Sequence, residues 1–537
     1  MKKIVILLIA ATLALPASAQ LFGRKKNAKA AAPDKMAVDT STSANRVLEL
    51  MDLVRSNYVE TPDMNRLSEE AVKAMLKSLD PHSVYIAAKD VERANEGLQG
   101  NFEGVGVSFQ IVSDTISVTS VISGGPSEKV GIMVGDKFLR IDGDAATGDS
   151  IKNDFVFKHL RGKKGTTVVV DVLRQGKVYT FHIVRDKIPI YSVDTYFMAD
   201  DTIGYIRLTR FARTSVTEVR KAIHDLQKQG MTALMLDLRG NSGGYLDVAN
   251  ALANEFLASG QLIVYTEGRE SPRHNYRSNN YGSFRKGRLV VLIDEGSASA
   301  SEIVSGAVQD WDRGVLVGRR SFGKGLVQRM FQLKDGAQVR LTTARYYTPS
   351  GRCIQKPYDD GAEEYQKDVS NRYKHGELVN ADSIHFPDSL KFKTAKGRTV
   401  YGGGGIMPDV FVPLDTMRLS DYCISVRGKG LFNTYSLQWA DAHRGQAEVV
   451  DFETFVANYD SFGLDSLFAA EAIEKGVVRD VEKEALEPER TARSDKYMQL
   501  LLKANVARNL FGIEYYYKVM KEMDDGYNTA LKQLQTK

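Results

Sequence analysis

The sequence predicts an α/β protein: a central core of alternating strands and helices, a β-rich domain inserted ahead of it, and helical regions at both ends. Three observations carry this expectation. Between Tyr191 and Pro413, apolar strand-like runs alternate with amphipathic helical stretches, the pattern of βαβ units. From Asn101 to Arg185 short alternating strands are separated by glycine-rich turns, and near both ends apolar residues recur at helical spacing. The chain has 537 residues, 43% of them hydrophobic and 26% charged, which is globular and long enough for three to four domains at about 150 residues each. A net charge of +5 argues against a dedicated nucleic-acid binder, whose charge gathers on one basic face. Two lone cysteines, Cys353 and Cys423, and eight scattered histidines give no zinc-ligand spacing, so neither metal nor cofactor is expected. Whether the cysteines pair is undecided by sequence.

Residues 1–19 read as an export signal: Lys2 and Lys3, then the apolar stretch Ile4 to Leu15, then the small-residue site Ala17-Ser18-Ala19. The apolar stretch is too short for the roughly 20 residues of a membrane span. Gln20 stands where a lipoprotein would need cysteine, and no later stretch is long and apolar enough to span, so a soluble mature protein is expected. Residues 20–43 read as a flexible leader whose basic run (Arg24, Lys25, Lys26) is a solvated tail. Residues 44–95 form an N-terminal helical region. Val47, Leu50, Met51 and Val54, then Ala71, Met75, Leu76 and Leu79, mark its helical faces, and Asp80-Pro81-His82-Ser83 supplies turn chemistry at the end.

Residues 96–188 form the β-rich domain. Strands are expected at Val105–Ile111, Ile116–Ile122, Lys137–Ile141, Thr167–Leu173 and Val178–Val184, with a loop and short helix between Gly124 and Ile132. Three stretches resemble a PDZ domain: Gly104-Val105-Gly106-Val107, Pro126-Ser127 through Gly131-Ile132, and Gly135 through Gly143. Glycines beside a strand let backbone amides converge on a carboxylate while the strand edge pairs with an extended peptide. The resemblance puts a peptide-binding groove at Gly104, Val105, Gly106, Val107 and Phe109. A small β-domain with glycines used only for turns is the plainer alternative. Arg161, in Arg161-Gly162-Lys163-Lys164-Gly165, reads as a solvated turn in preference to a coupling residue.

The core, residues 189–413, is expected to contain strands at Ile203–Leu208, Thr232–Leu238, Gln261–Tyr265 and Arg288–Ile293. The run Thr-Ala-Leu-Met-Leu-Asp-Leu suits a strand buried on both faces. Helices are expected at Ser215–Gln229, Val248–Ala258 and Ser299–Trp311, and the polar stretch Tyr358–Arg398 reads as an insertion or flexible loop. Residues 414–537 form a C-terminal helical region suited to docking or assembly.

Two segments carry the chemistry: Gly296-Ser297-Ala298-Ser299-Ala300-Ser301-Glu302, between a strand and a helix, and Ser321-Phe322-Gly323-Lys324-Gly325-Leu326-Val327-Gln328. Together with Leu79 to Ser83, Asp237-Leu238-Arg239-Gly240-Asn241-Ser242-Gly243-Gly244, Leu341 through Arg352 and Gly405 through Asp409, they resemble the C-terminal processing peptidases of family S41. These are exported serine peptidases with a PDZ domain, a Ser-Lys dyad and a ClpP/crotonase-like α/β core. The resemblance makes Ser299 the nucleophile, Lys324 the general base and Gln328 the residue that steadies the lysine. It assigns one oxyanion donor to the amide of Ala300 and a second to Gly243 or Gly244.

The physics is consistent. A serine hydroxyl needs a neighbouring base to take its proton, and lysine serves only where apolar surroundings hold its amine neutral. No histidine stands in a catalytic motif, which disfavours a Ser-His-Asp triad. If a helix starts at Ser299, the amide of Ala300 points at the site. Ser299 and Glu302 also fit a plain capping box, and Ser297 and Ser301 are rival nucleophiles; the 25-residue interval to Lys324, which matches the family, selects Ser299. Ser321-Phe322-Gly323-Lys324 matches the S-x-x-K of penicillin-binding proteins, but glycines flank the lysine and neither S-D-N nor K-T-G follows.

The resemblance thus implies an exported serine endopeptidase of the periplasm or cell envelope. Its partners are protein substrates held by their C-terminal tails, an adaptor or regulatory envelope protein, and a second copy in a homo-oligomer. The alternative is a non-cleaving PDZ scaffold or peptide-binding protein of the envelope. A crotonase-type acyl-CoA enzyme is disfavoured by the export signal and the PDZ-like region.

Overall fold

The computed structural model describes residues 40–112, 114–149 and 151–536. The export segment and leader residues 20–39 lie outside these. The chain divides into two units, the first ending at Ser68 and the second running from Glu69. The first holds the helix Thr40–Asn57, on which Val47, Leu48, Leu50 and Leu53 are exposed.

In the second unit the core is a six-stranded sheet in sequence order: Val193–Met198, Ile203–Leu208, Ala233–Asp237, Arg288–Ile293, Val315–Gly318 and Val410–Phe411. All neighbours after the first pair are parallel. Both faces are covered, as a parallel sheet requires. On one face Leu234, Leu236, Val291 and Ile293 pack against the helices Ser215–Lys228, Leu246–Asn254 and Ala300–Asp310. On the other, Ala233, Met235, Val290 and Leu292 meet Tyr527, Ala530 and Leu534 of the C-terminal helix Asp525–Gln535.

A second, antiparallel sheet lies beside it. Its long strand Gln338–Tyr347 pairs with Leu326–Gln332 along its length, with Val84–Ile86 at its start and with Leu262–Gly268 at its end. The β-rich body has the strand order Val107–Val112, Thr115–Val121, Lys137–Ile141, Thr167–Arg174 and Lys177–Val184, with the helix Asn153–Leu160 and its own core around Ile116, Phe138 and Val170. Residues 421–511 contain a separate helical cluster centred on Phe455, Leu464 and Leu502. Among the described residues, no helix is long and apolar enough to cross a membrane. Cys353 and Cys423 are both unpaired.

Of the two readings of Tyr358–Arg398, an insertion or a flexible loop, the structure contradicts the flexible loop. The chain there forms the helix Gly361–Lys374 and a two-stranded pairing of Lys391–Lys393 with Thr399–Tyr401. Only Tyr365 and Arg372 of that helix are buried, two turns apart on one face, so its hydrophobic pattern is too sparse to read. Arg372 fixes it by donating to the carbonyls of Ser321 (2.8 Å) and Phe322 (3.1 Å).

Candidate active site

The parallel strand Arg288–Ile293 ends beside the helix Ala300–Asp310, and Ser299 is the residue between turn and helix. Its φ is +55° and ψ −111°, a backbone conformation rare for any residue bearing a Cβ. Such strain costs about 1–3 kcal/mol and persists only where the surroundings impose it. Both rival serines are committed elsewhere. Ser297 Oγ accepts from the amide of Asp294 (2.9 Å) and donates to the carbonyl of Leu238 (2.8 Å); Ser301 Oγ donates to the carbonyl of Asn241 (2.7 Å).

Lys324 lies in the irregular segment between Val315–Gly318 and Leu326–Gln332, so the S-x-x-K reading lacks its helix. Burial lowers the pKa of its amine from the ordinary lysine value; Glu302 and Asp80 oppose this and Arg340 reinforces it. The main chains of Ser299 and Lys324 are tied together twice. The buried Glu302 carboxylate accepts from the amides of Ser299 (2.8 Å) and Lys324 (2.9 Å). The Tyr346 hydroxyl lies against the carbonyls of Ser299 (3.1 Å) and Lys324. Among the described residues, no hydrogen bond joins Lys324 Nζ to Ser299 Oγ or to Gln328. The Gln328 amide instead donates to Thr342 Oγ1 at 3.4 Å, and that hydroxyl donates to Asp80 (3.1 Å).

The glycine loop approaches Ser299 closely. A Cβ on Gly243, whose φ is +103°, would lie 2.9 Å from both Ser299 Cβ and the amide nitrogen of Ala300. Ala300 opens the helix, so its amide has no acceptor within it. The amide of Gly243 donates to Asn241 Oδ1 (2.9 Å), whereas that of Gly244 has no acceptor among the described residues. The loop is anchored by Arg239, which joins the buried Asp237 (2.7 Å) to Asp524 at the start of the C-terminal helix (2.7 Å). Burial opposes the charge on Asp237, but Arg239 and Arg207 hold its carboxyl down at about 2.

His82 is a neighbour that the sequence did not single out. Burial, then the charge of Lys324, lowers its pKa to about 4, and its Nε2 lies 2.8 Å from the Tyr365 hydroxyl. The turn Asp80-Pro81-His82-Ser83 was visible as a motif, but nothing local said that it faces the lysine.

In the β-rich body Gly104 ends the strand Asn101–Gly104, Val105 is buried, and Val107 and Phe109 stand on Val107–Val112, whose one strand partner among the described residues is Thr115–Val121. An apolar pocket lies along this strand, lined by Val105, Gly106, Val107, Phe109, Phe157 and Leu160. Arg161 is not the solvated turn expected from sequence. It pairs with Glu96 (2.6 and 2.8 Å) and lies over the rings of Phe102 and Phe157.

Several stretches of the chain are similar to known proteins. Residues 202–363 match peptidase family S41, 104–184 a PDZ domain, 8–90 the N-terminal domain of the activating protease CtpB, and 422–512 a family of unknown function. The chain is 38% identical over 314 residues to the carboxy-terminal-processing protease of Bartonella bacilliformis, covering 57% of this chain and 71% of that one. It is 33% identical over 312 residues to a probable CtpA-like serine protease of Staphylococcus aureus, covering 58% and 62%. A solved photosystem II D1 C-terminal processing protease aligns at 26% identity over 69% of this chain and 93% of that one, with a TM-score of 0.35. Fold and relatives together define a serine-type protease carrying a PDZ domain. The chain belongs to peptidase family S41, the carboxy-terminal-processing proteases.

Proposed function

We propose that this protease cleaves peptide bonds with a Ser299–Lys324 dyad, on protein substrates captured by their C-terminal tails. The observation that carries this is that a strained Ser299 at a helix start and a half-buried, pKa-lowered Lys324 have their main-chain amides tied to one buried carboxylate. Neutral Lys324 takes the Ser299 proton as Oγ attacks the scissile carbonyl. The tetrahedral oxyanion accepts from the amide of Ala300 and from the glycine loop, where Gly244 has the uncommitted N–H and Gly243 the close approach. Each such donor is worth about 2.7–4 kcal/mol. Lys324 then returns the proton to the leaving amine, and water releases the acyl group. In this reading Gln328 steadies the lysine only after it leaves Thr342.

The PDZ domain takes the tail along Val107–Val112, whose open edge supports strand addition, with side chains entering the pocket at Val107 and Phe109. Residues 1–19 direct export to the periplasm or envelope, and an adaptor and a second copy of the chain act as partners. The division at 20–43, 44–95, 96–188, 189–413 and 414–537 belongs to the same proposal.

The test compares wild type with Ser299→Ala and Lys324→Ala on an unfolded protein ending in apolar residues. Both variants are expected to be inactive yet folded; equal cleavage by all three rejects the dyad. Deleting residues 101–185 tests tail capture separately. A charged or blocked C-terminus processed as fast as a free apolar one rejects it.

A further inference from the structure

We infer that Glu302 is the positioning residue that sets nucleophile against base, by holding both main chains on one carboxylate. The inference rests on the dyad reading above. Glu302 is fully buried in the first turn of the helix Ala300–Asp310. Oε1 accepts from the Ser321 hydroxyl (2.6 Å) and the amide of Gly323 (2.7 Å), and Oε2 from the amides of Ser299 (2.8 Å) and Lys324 (2.9 Å). All four neighbours are donors. The Ser321 hydroxyl accepts from the amide of Ile406 (2.7 Å) and so gives its own proton to Glu302. This set of partners suits the ionised carboxylate, which has about four acceptor sites and no proton to place.

An ordinary capping box asks of its glutamate side chain only the reach-back to the N-cap amide. Three of the four bonds here lie outside that motif, on Ser321, Gly323 and Lys324, 19 to 22 residues along the chain. One oxygen of this side chain, Oε2, thus fixes both the amide of the nucleophile and the amide of the base. At Lys324 it holds backbone only, so the Lys324 side chain stays free to reach Ser299. Its charge also acts on the amine: Glu302 and Asp80 favour the protonated form, and burial and Arg340 oppose it. His82 is the further titratable group near Lys324, from the turn at 80–83.

The experiment uses Glu302→Gln in the full chain, with Ser299→Ala and Lys324→Ala in the same assay and folding followed by thermal unfolding. A glutamine keeps the shape but turns an NH₂ toward two of the four donors. Misplacement of about 1 Å costs about 100-fold, so kcat is expected to fall about 100-fold with KM within about threefold. Removing a negative charge beside the amine also moves the acid limb of the kcat profile to lower pH, which loss of folded protein alone does not do. A folded Glu302→Gln with kcat within about threefold of wild type overturns the inference, while inactive Ser299→Ala and Lys324→Ala leave the dyad standing. If those two variants cleave normally, dyad and inference fall together. Should Glu302→Gln not fold, Ser321→Ala decides: it removes one donor from Oε1, and lower kcat at unchanged KM supports the inference, whereas unchanged kcat overturns it.

Discussion

Gly243 offers a direct measure of how tightly the glycine loop packs on the nucleophile. In Gly243→Ala the new Cβ would lie 2.8 Å from the Ala298 carbonyl oxygen and 2.9 Å from the Ala300 nitrogen. Both are backbone atoms flanking Ser299, so the methyl group either displaces the loop or moves the Ala300 amide from the oxyanion position. Losing one donor of this kind costs about 2.7–4 kcal/mol, a fall of about 100- to 1,000-fold in kcat. The backbone term is separable. Gly240 has a φ of +68° and nothing within 4 Å of the place a methyl group would take, so Gly240→Ala carries only the left-handed penalty of about 1–2 kcal/mol. The assay is kcat on an unfolded protein with an apolar C-terminus, normalised by titration of the reactive serine and paired with thermal unfolding. Gly240→Ala is expected to lower Tm and keep kcat, whereas Gly243→Ala loses kcat. A folded Gly243→Ala with kcat within about threefold of wild type would refute the close-approach argument.

Further outcomes follow from the charges of Lys324, His82 and Arg352. Attack needs the neutral amine, so kcat rises with pH through the pKa of Lys324, which burial places below the ordinary 10.5; a half-maximal rate at or above pH 10.5 contradicts this. Because the folded amine binds its proton more weakly than the unfolded one, stability rises with pH across that window, and Lys324→Met is expected to raise Tm at pH 7. His82, lowered to about 4, refuses a proton that the unfolded chain accepts from pH 6.5 downward. After allowance for its partial exposure, about 2–3 kcal/mol of stability is therefore lost between pH 6.5 and 4, and urea unfolding at several pH values should show a slope that His82→Phe flattens. Arg352 is fully buried and donates to Asp310 (2.7 Å) and Gln309 (2.7 Å). Arg352→Ala leaves that carboxylate unpaired, and the urea midpoint is expected to fall by the equivalent of about 3–5 kcal/mol.

The parts of this fold that were legible in the sequence are those with a local period. Ala233–Asp237 reads as a strand because both faces are buried and nearly every residue is apolar, and Ser215–Lys228 as a helix because Val219, Ala222, Ile223 and Leu226 repeat at its spacing. The strand Gln338–Tyr347 is hard to read from sequence because the polar Arg340 and Thr342 stand on the same face as the buried Gln338, Ala344 and Tyr346, which therefore does not look apolar; Thr342 faces the site through Asp80 and Gln328. Pairings such as Arg161 with Glu96, or Arg239 with Asp524 some 285 residues away, have no period at all. His82 belongs with these, since the pairing of Val84–Ile86 with the long strand and the bonds from Thr342 to Ser83 and Asp80 bring its turn to the lysine.

Ser299-Ala300-Ser301-Glu302 is the instructive case, because its plain and its catalytic readings were set against each other as rivals. In the folded chain they describe the same atoms. The reach-back from Glu302 to the Ser299 amide is the bond a capping box predicts, and it starts the helix whose first free amide, at Ala300, faces Gly243. What separates a cap from a site is where the remaining acceptor capacity goes. An exposed cap would spend it on water; here it goes to Ser321, Gly323 and Lys324. A four-residue motif cannot contain that difference, because it lies on a loop about 20 residues downstream that is apposed only when the sheet forms. The strained φ of Ser299 fits the same account, since the carboxylate holds its amide and the Tyr346 hydroxyl its carbonyl.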